Sequence, residues 1–203
     1  MEVTVAKGII LLALSVGLLG ANLSTVQSAS KDKGVVVEKI EKSEELRQLL
    51  LDQESIDRQF GVLYERFEHI LDRSDSLSGP DENGDGIRDD IEAFIEALEV
   101  STPIRNVIKQ NARHFQAHLQ YDLSEDSEEN RKFAIKLGDE YLKVISCMNY
   151  LKIPSREQTN ISKVIKALTH NTKVRTKAYI WYNHLQDGSV SFLLPNEERY
   201  CEK

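Results

Sequence analysis

A chain of 203 residues has the length of one ordinary domain plus a targeting segment, and 40% hydrophobic with 29% charged residues is the balance of a soluble globular fold. That balance excludes a wholly membrane-embedded or wholly disordered chain. A net charge of −7 argues against a nucleic-acid partner, and the five basic residues between Lys163 and Lys177 are too sparse to reverse it.

Residues 1–29 have the layout of a secretory signal: Lys7, an apolar run of 16 residues from Gly8 to Leu23, and a small polar stretch from Ser24 to Ser30, with a cut expected after Ser28. Sixteen residues of helix reach about 24 Å, short of a hydrocarbon layer of roughly 30 Å. Export to a periplasm or the exterior is therefore the expectation; a retained segment 8–23 would instead tether the chain to a membrane. Residues 30–42 read as a flexible leader. In an oxidising compartment the two cysteines, Cys147 and Cys201, are expected to pair and to staple the C-terminal tail to the body.

From Ser43 apolar residues recur every three or four positions. Leu46, Leu49, Leu50, Ile56, Phe60, Leu63, Tyr64, Phe67, Ile70 and Leu71 predict one long helix or two joined near Gly61. Residues 74–86 form an irregular loop, and Ile91, Phe94, Ile95 and Leu98 restart the helical pattern. Ser101-Thr-Pro103 opens a further helix running to about Tyr121, with a hydroxyl cap and proline in its first turn. Asp122–Asn130 is a connector. Helices follow at about 129–151, 157–169 and 172–186, and Ser189–Leu194 reads as a short strand or an extended tail on the helices. The expected fold is all-α: one helical domain over residues 43–203, without internal repeats.

The most informative segment is Asp81-Glu-Asn83-Gly-Asp85-Gly86-Ile87-Arg88-Asp89-Asp-Ile-Glu92. Calcium takes six to eight oxygen ligands, so a site needs several oxygens wrapped round one point. Asp81, Asn83 and Asp85 alternate so that their side chains can converge; Gly86 permits the sharp bend, and the Ile87 carbonyl then turns towards the same point. Asp89 can bind directly or through water, and Glu92 can close the shell with both oxygens. These twelve residues resemble the EF-hand calcium loop, and more closely its variant in thrombospondin type 3 repeats. The resemblance covers roughly residues 56–98 and implies a Ca2+ site between two helices. It departs from the family at the eighth position, where Arg88 replaces the aliphatic residue that pairs with a second loop. No second loop is present in the sequence, which implies a weak site, on the order of 0.1–1 mM. Between Asp75 and Glu99 nine carboxylates face one arginine, so this window carries more negative charge than the chain as a whole.

His114 and His118 lie four apart on one helix face, a spacing that suits zinc or copper. They border the Ile104, Ile108, Phe115, Leu119 stripe, where amphipathic side chains at the edge of a core are the simpler reading. His69, His170 or His184 would complete a metal site only if the fold brings one near. The sequence thus supports three functions: an exported calcium-binding helical protein with a structural or protein-interaction role, a metal-dependent hydrolase built on His114 and His118, or, if residues 8–23 are retained, a membrane-tethered helical partner protein. It names no protein partner.

Overall fold

The computed structural model describes residues 39–203. The predicted signal and residues 30–38 of the predicted leader lie outside the described residues. Among those described there are seven α-helices and no strand: α1 (Glu44–Leu51), α2 (Ile56–Phe67), α3 (Asp89–Ala97), α4 (Thr102–Ala117), α5 (Glu128–Tyr150), α6 (Ser155–Thr169) and α7 (Lys173–Leu185). Short 3-10 turns extend α2 (Glu68–Ile70) and α4 (His118–Gln120), and a third lies near the C-terminus (Glu198–Tyr200). None of these helices is long and apolar enough to cross a membrane.

Local chemistry sets the helix starts. Ser43, Ser127 and Thr172 cap α1, α5 and α7 by accepting the third residue's N–H, and acidic residues occupy the first turns of α1 and α5. The break between α1 and α2 falls at residues 52–55 rather than near Gly61, which stands inside α2. A tertiary contact fixes that position: the Ile56 N–H donates to Glu157 Oε1 at 3.1 Å, so α6 supplies the anchor for the start of α2.

Helix α4 is the centre of the fold and packs against α3, α5 and α6. Its Val107, Ile108 and Ala112 meet Phe60 and Leu63 of α2, Ile91, Phe94 and Ile95 of α3, Val144 and Met148 of α5, and Ile161 and Ile165 of α6 in one buried cluster. Tyr182 and Leu185 of α7 form a smaller cluster with Ala134 and Leu123. Tyr182, one of the three aromatics on α7, is buried, whereas Trp181 is half-buried.

The tail is extended but does not pack along its length: Val190, Phe192 and Leu193 are exposed. It attaches further on. Ser146 donates to the Pro195 carbonyl, Gln110 Nε2 donates to the Tyr200 carbonyl at 2.9 Å, and Cys201 is disulfide-bonded to the buried Cys147 of α5. The bridge closes a loop with a sequence separation of 54, worth about 4 kcal/mol in the chain-entropy model. Replacing Cys201 by Ser is expected to lower the unfolding free energy by about 2–4 kcal/mol. Denaturant unfolding checks this, and a midpoint equal to that of the parent chain under non-reducing conditions would count against it.

Candidate metal centre

The 18 residues between the 3-10 turn after α2 and the start of α3 contain the first eight residues of the predicted loop, whose last four lie in α3, and the backbone there turns on its own acidic side chains. Asp81 accepts from the N–H of Asp85 (3.2 Å, Oδ1) and of Gly86 (2.9 Å, Oδ2). Asn83 Oδ1 accepts from the Asp85 N–H at 2.9 Å, and Asp85 Oδ1 from the Ile87 N–H at 2.9 Å. The last two are Asx turns in series, each holding a side-chain oxygen against the backbone two residues on. Gly86 has φ of +84°, a left-handed conformation that glycine adopts without a Cβ penalty. The Ile87 side chain is fully buried in the core and pins the far side of the turn.

The second half folds back on the first. Asp89 accepts from the Glu82 N–H through both oxygens, at 3.1 and 3.2 Å, and the Asp89 N–H donates to the Pro80 carbonyl at 3.0 Å. Glu92, in the first turn of α3, accepts from Asn83 Nδ2 at 2.9 Å. Positions 1, 3, 5, 9 and 12 of the loop thus surround one turn of backbone. Burial pushes the Asp85 and Asp89 carboxyls above their usual range, and nearby Asp81 and Glu92 push the same way. Among the described residues, however, no three His, Cys, Asp or Glu side chains are gathered closely enough to hold an ion in this conformation. Glu92 Oε1 points to Lys109 of α4 at 2.7 Å, and Arg113 of α4 donates to the Asp85 carbonyl at 2.9 Å.

Arg88, the departure from the EF-hand pattern, is the residue that docks the loop. It is fully buried and forks onto Asp90, with Nε to Oδ1 at 2.6 Å and Nη2 to Oδ2 at 3.0 Å. The same guanidinium donates to the carbonyls of Leu168 (3.0 Å) and Thr169 (3.3 Å), in the last turn of α6, where carbonyls run out of helical N–H partners. Asp90 also accepts from the Asp72 N–H, and the Asp72 carboxylate pairs with Arg175 of α7, itself fully buried. Gly79, at φ of +69°, lies directly on the Arg88 stem, where a Cβ would collide with it. The C-terminal end of α6 is therefore what Arg88 docks the loop against.

Comparison with protein-family models, curated proteins and solved structures found no match.

His114 is half-buried at the edge of the core, as its helical spacing suggested, but His118 is not. His118 is buried, because α7 and residue 170 cover that side of α4, and its Nε2 lies 3.1 Å from His170 Nε2. His170 Nδ1 faces the Lys166 carbonyl at 2.7 Å, which fixes Nδ1 as a donor and leaves Nε2 to accept from the His118 N–H. His118 stacks on Tyr182 and His114 on Tyr141, at centroid distances of 4.5 and 4.9 Å. The fold thus brings His170 to His118, while His184 faces Asp126 instead.

Asp90→Ala leaves Arg88 buried without its counter-charge and is expected to cost roughly 3–5 kcal/mol, read by denaturant unfolding; a cost under about 1 kcal/mol would show the network to be dispensable. Burial lowers the pKa of His114 to about 4, His118 to about 3 and His170 to about 4, helped by neighbouring histidines at His114 and His118 and by Lys166, Arg88 and Arg175 at His170. Because the folded values lie below 6.5, the histidines' contribution is complete above pH 6.5 and is lost as pH falls from 6.5 towards 4. Unfolding free energies at pH 7.5 and 5.5 should differ by roughly 1 kcal/mol per buried histidine, and His118→Phe should shrink the difference.

Proposed function

We propose that residues 81–92 bind one Ca2+ ion through the side chains of Asp81, Asn83, Asp85, Asp89 and Glu92 and the Ile87 carbonyl. The protein is on this reading an exported, calcium-stabilised helical module with a structural or protein-interaction role. The observation that carries it is the contact between the two ends of the loop. Asn83, at the third position, already hydrogen-bonds Glu92, at the twelfth, around a backbone whose N–H groups are held by Asp81, Asn83 and Asp85. The donor set is all oxygen and suits a hard divalent cation. Two cations already stand in at its rim, the Lys109 ammonium on Glu92 and the Arg113 guanidinium beside Asp85. Gathering the ligands asks for side-chain rotation, since both Glu92 oxygens are held by side chains rather than by backbone.

The hydrolase reading, with His114 and His118 on one transition metal, finds less support. His118 Nε2 is engaged with His170, and His114 stacks on Tyr141. Residues 8–23, on which export or tethering depends, lie outside the described residues.

Calcium at ten times its dissociation constant would add about 1.4 kcal/mol. For a domain of this size that raises the melting temperature by about 3–6 °C. The expected result is a melting temperature higher in about 10 mM calcium, at or above ten times the affinity expected of a weak loop, than in chelator, with Asp81→Ala removing the difference. Identical melting curves in both buffers, together with no heat in calorimetric titration, would refute the site.

A further inference from the structure

Among the described residues, Glu92 is the one loop ligand with a lysine ammonium in hydrogen-bond contact. Lys109 lies in the middle of α4, the central helix of the fold, and its ammonium stands 2.7 Å from Glu92 Oε1 and 2.6 Å from Glu96 Oε1. Glu92 and Glu96 are one turn apart on α3, so a single lysine spans both. Lys109 and Glu92 are each less than one-fifth exposed, at 18% and 19%, so water screens this pair less than it would a surface pair. Burial works against the lysine's charge, yet hydrogen bonds to Glu92 and Glu96 more than offset it and hold the ammonium above its usual pKa. Arg113 differs. Its Nε props the Asp85 carbonyl, its closest carboxylate is Glu202 at 2.8 Å, and it stands 3.9 Å from Asp85 Oδ2.

We propose that Lys109 is the resident counter-ion of the loop's twelfth position and sets how tightly the loop holds a divalent cation. The proposal rests on the calcium reading above. Glu92 is the residue that would close the shell, and in this conformation one of its oxygens is committed to Lys109 and the other to Asn83. Binding with both oxygens requires Glu92 to turn away from the lysine. Lys109 then keeps Glu96, with which it is already paired, so its charge stays close to the site. One positive charge held about 5 Å from a divalent cation weakens binding on the order of tenfold even at the dielectric of bulk water, and by more where water is partly excluded. The lysine therefore does two things. It stabilises the acidic turn when the cation is scarce, and it confines occupancy to high concentrations.

Calorimetric titration of calcium into the full chain, with Lys109→Met and Lys109→Arg alongside, tests this. Methionine keeps much of the length of the stem and removes the charge; arginine keeps the charge. The expected result is a dissociation constant lower by about tenfold or more in the Met variant and within about threefold of the parent in the Arg variant. Binding by the Met variant alone, with none by the parent, would support the proposal further. A parent that binds calcium and a Met variant within about twofold of it would overturn the role of Lys109 and leave the calcium site standing. Equal tightening by Met and Arg would overturn it too, since charge would not be the cause. Absence of heat from all three chains would overturn the calcium reading itself, and the proposal with it. Melting curves in chelator establish that each variant is folded; the Met variant, lacking the lysine that offsets Glu92 and Glu96, is expected to melt lower there than the parent.

Discussion

Two buried arginines hold the acidic segment of this protein to its helices. Arg88 and Arg175 are both inaccessible to solvent, and each commits its guanidinium to a carboxylate and to backbone carbonyls. A charge taken out of water costs several kcal/mol unless its hydrogen bonds are replaced, and here they are: Asp90 for Arg88, Asp72 for Arg175, and carbonyls from residues 72, 76, 77, 168 and 169 for the remaining donors. The irregular segment after α2 has almost no regular backbone pairing of its own. Its path is dictated by where those arginines need oxygen.

This arrangement gives the loop a rigid frame on one side and a charged, adjustable one on the other. Ile87, Arg88, Asp90 and Ile91 face the core and are buried. Asp81, Asn83, Asp85, Asp89 and Glu92 face the opposite way and are half-buried or exposed. Their order along the loop separates the two sets. The inward residues fix the backbone, so the outward ones need only rotate. A cluster of like charge on a fixed backbone has few ways to relieve its repulsion: cations from α4, protonation, or a bound ion.

Most of the helical framework was legible in the sequence because apolar residues at a spacing of three and four specify a buried face directly. The serial Asx turns of Asn83 and Asp85 are local too and need no distant partner, although the alternation suggests an ion rather than backbone N–H groups. What the sequence hid was long-range. Arg88 read as a defect in a familiar pattern because two of its partners are the carbonyls of Leu168 and Thr169, far along the chain, and a carbonyl carries no residue-type signature. The pairing of His118 with His170 depends on how α6 and the residues after it dock on α4, and periodicity fixes only which face of a helix is turned inwards. The break before α2 was misplaced for the same reason, since Glu157 of α6 decides it.

The disulfide at the tail has a bearing on how the chain can be shortened. Residues 189–194 leave their apolar side chains in solvent and suggest a dispensable end, yet the residues just beyond them are structural. A chain trimmed at residue 194 would carry Cys147 as a solitary thiol within the core, strip Gln110 of the carbonyl it uses at Tyr200, and take Glu202 away from Arg113. Tyr200, Cys201 and Glu202, close as they are to the end, tie the terminus to α5 and to the helix that borders the acidic turn.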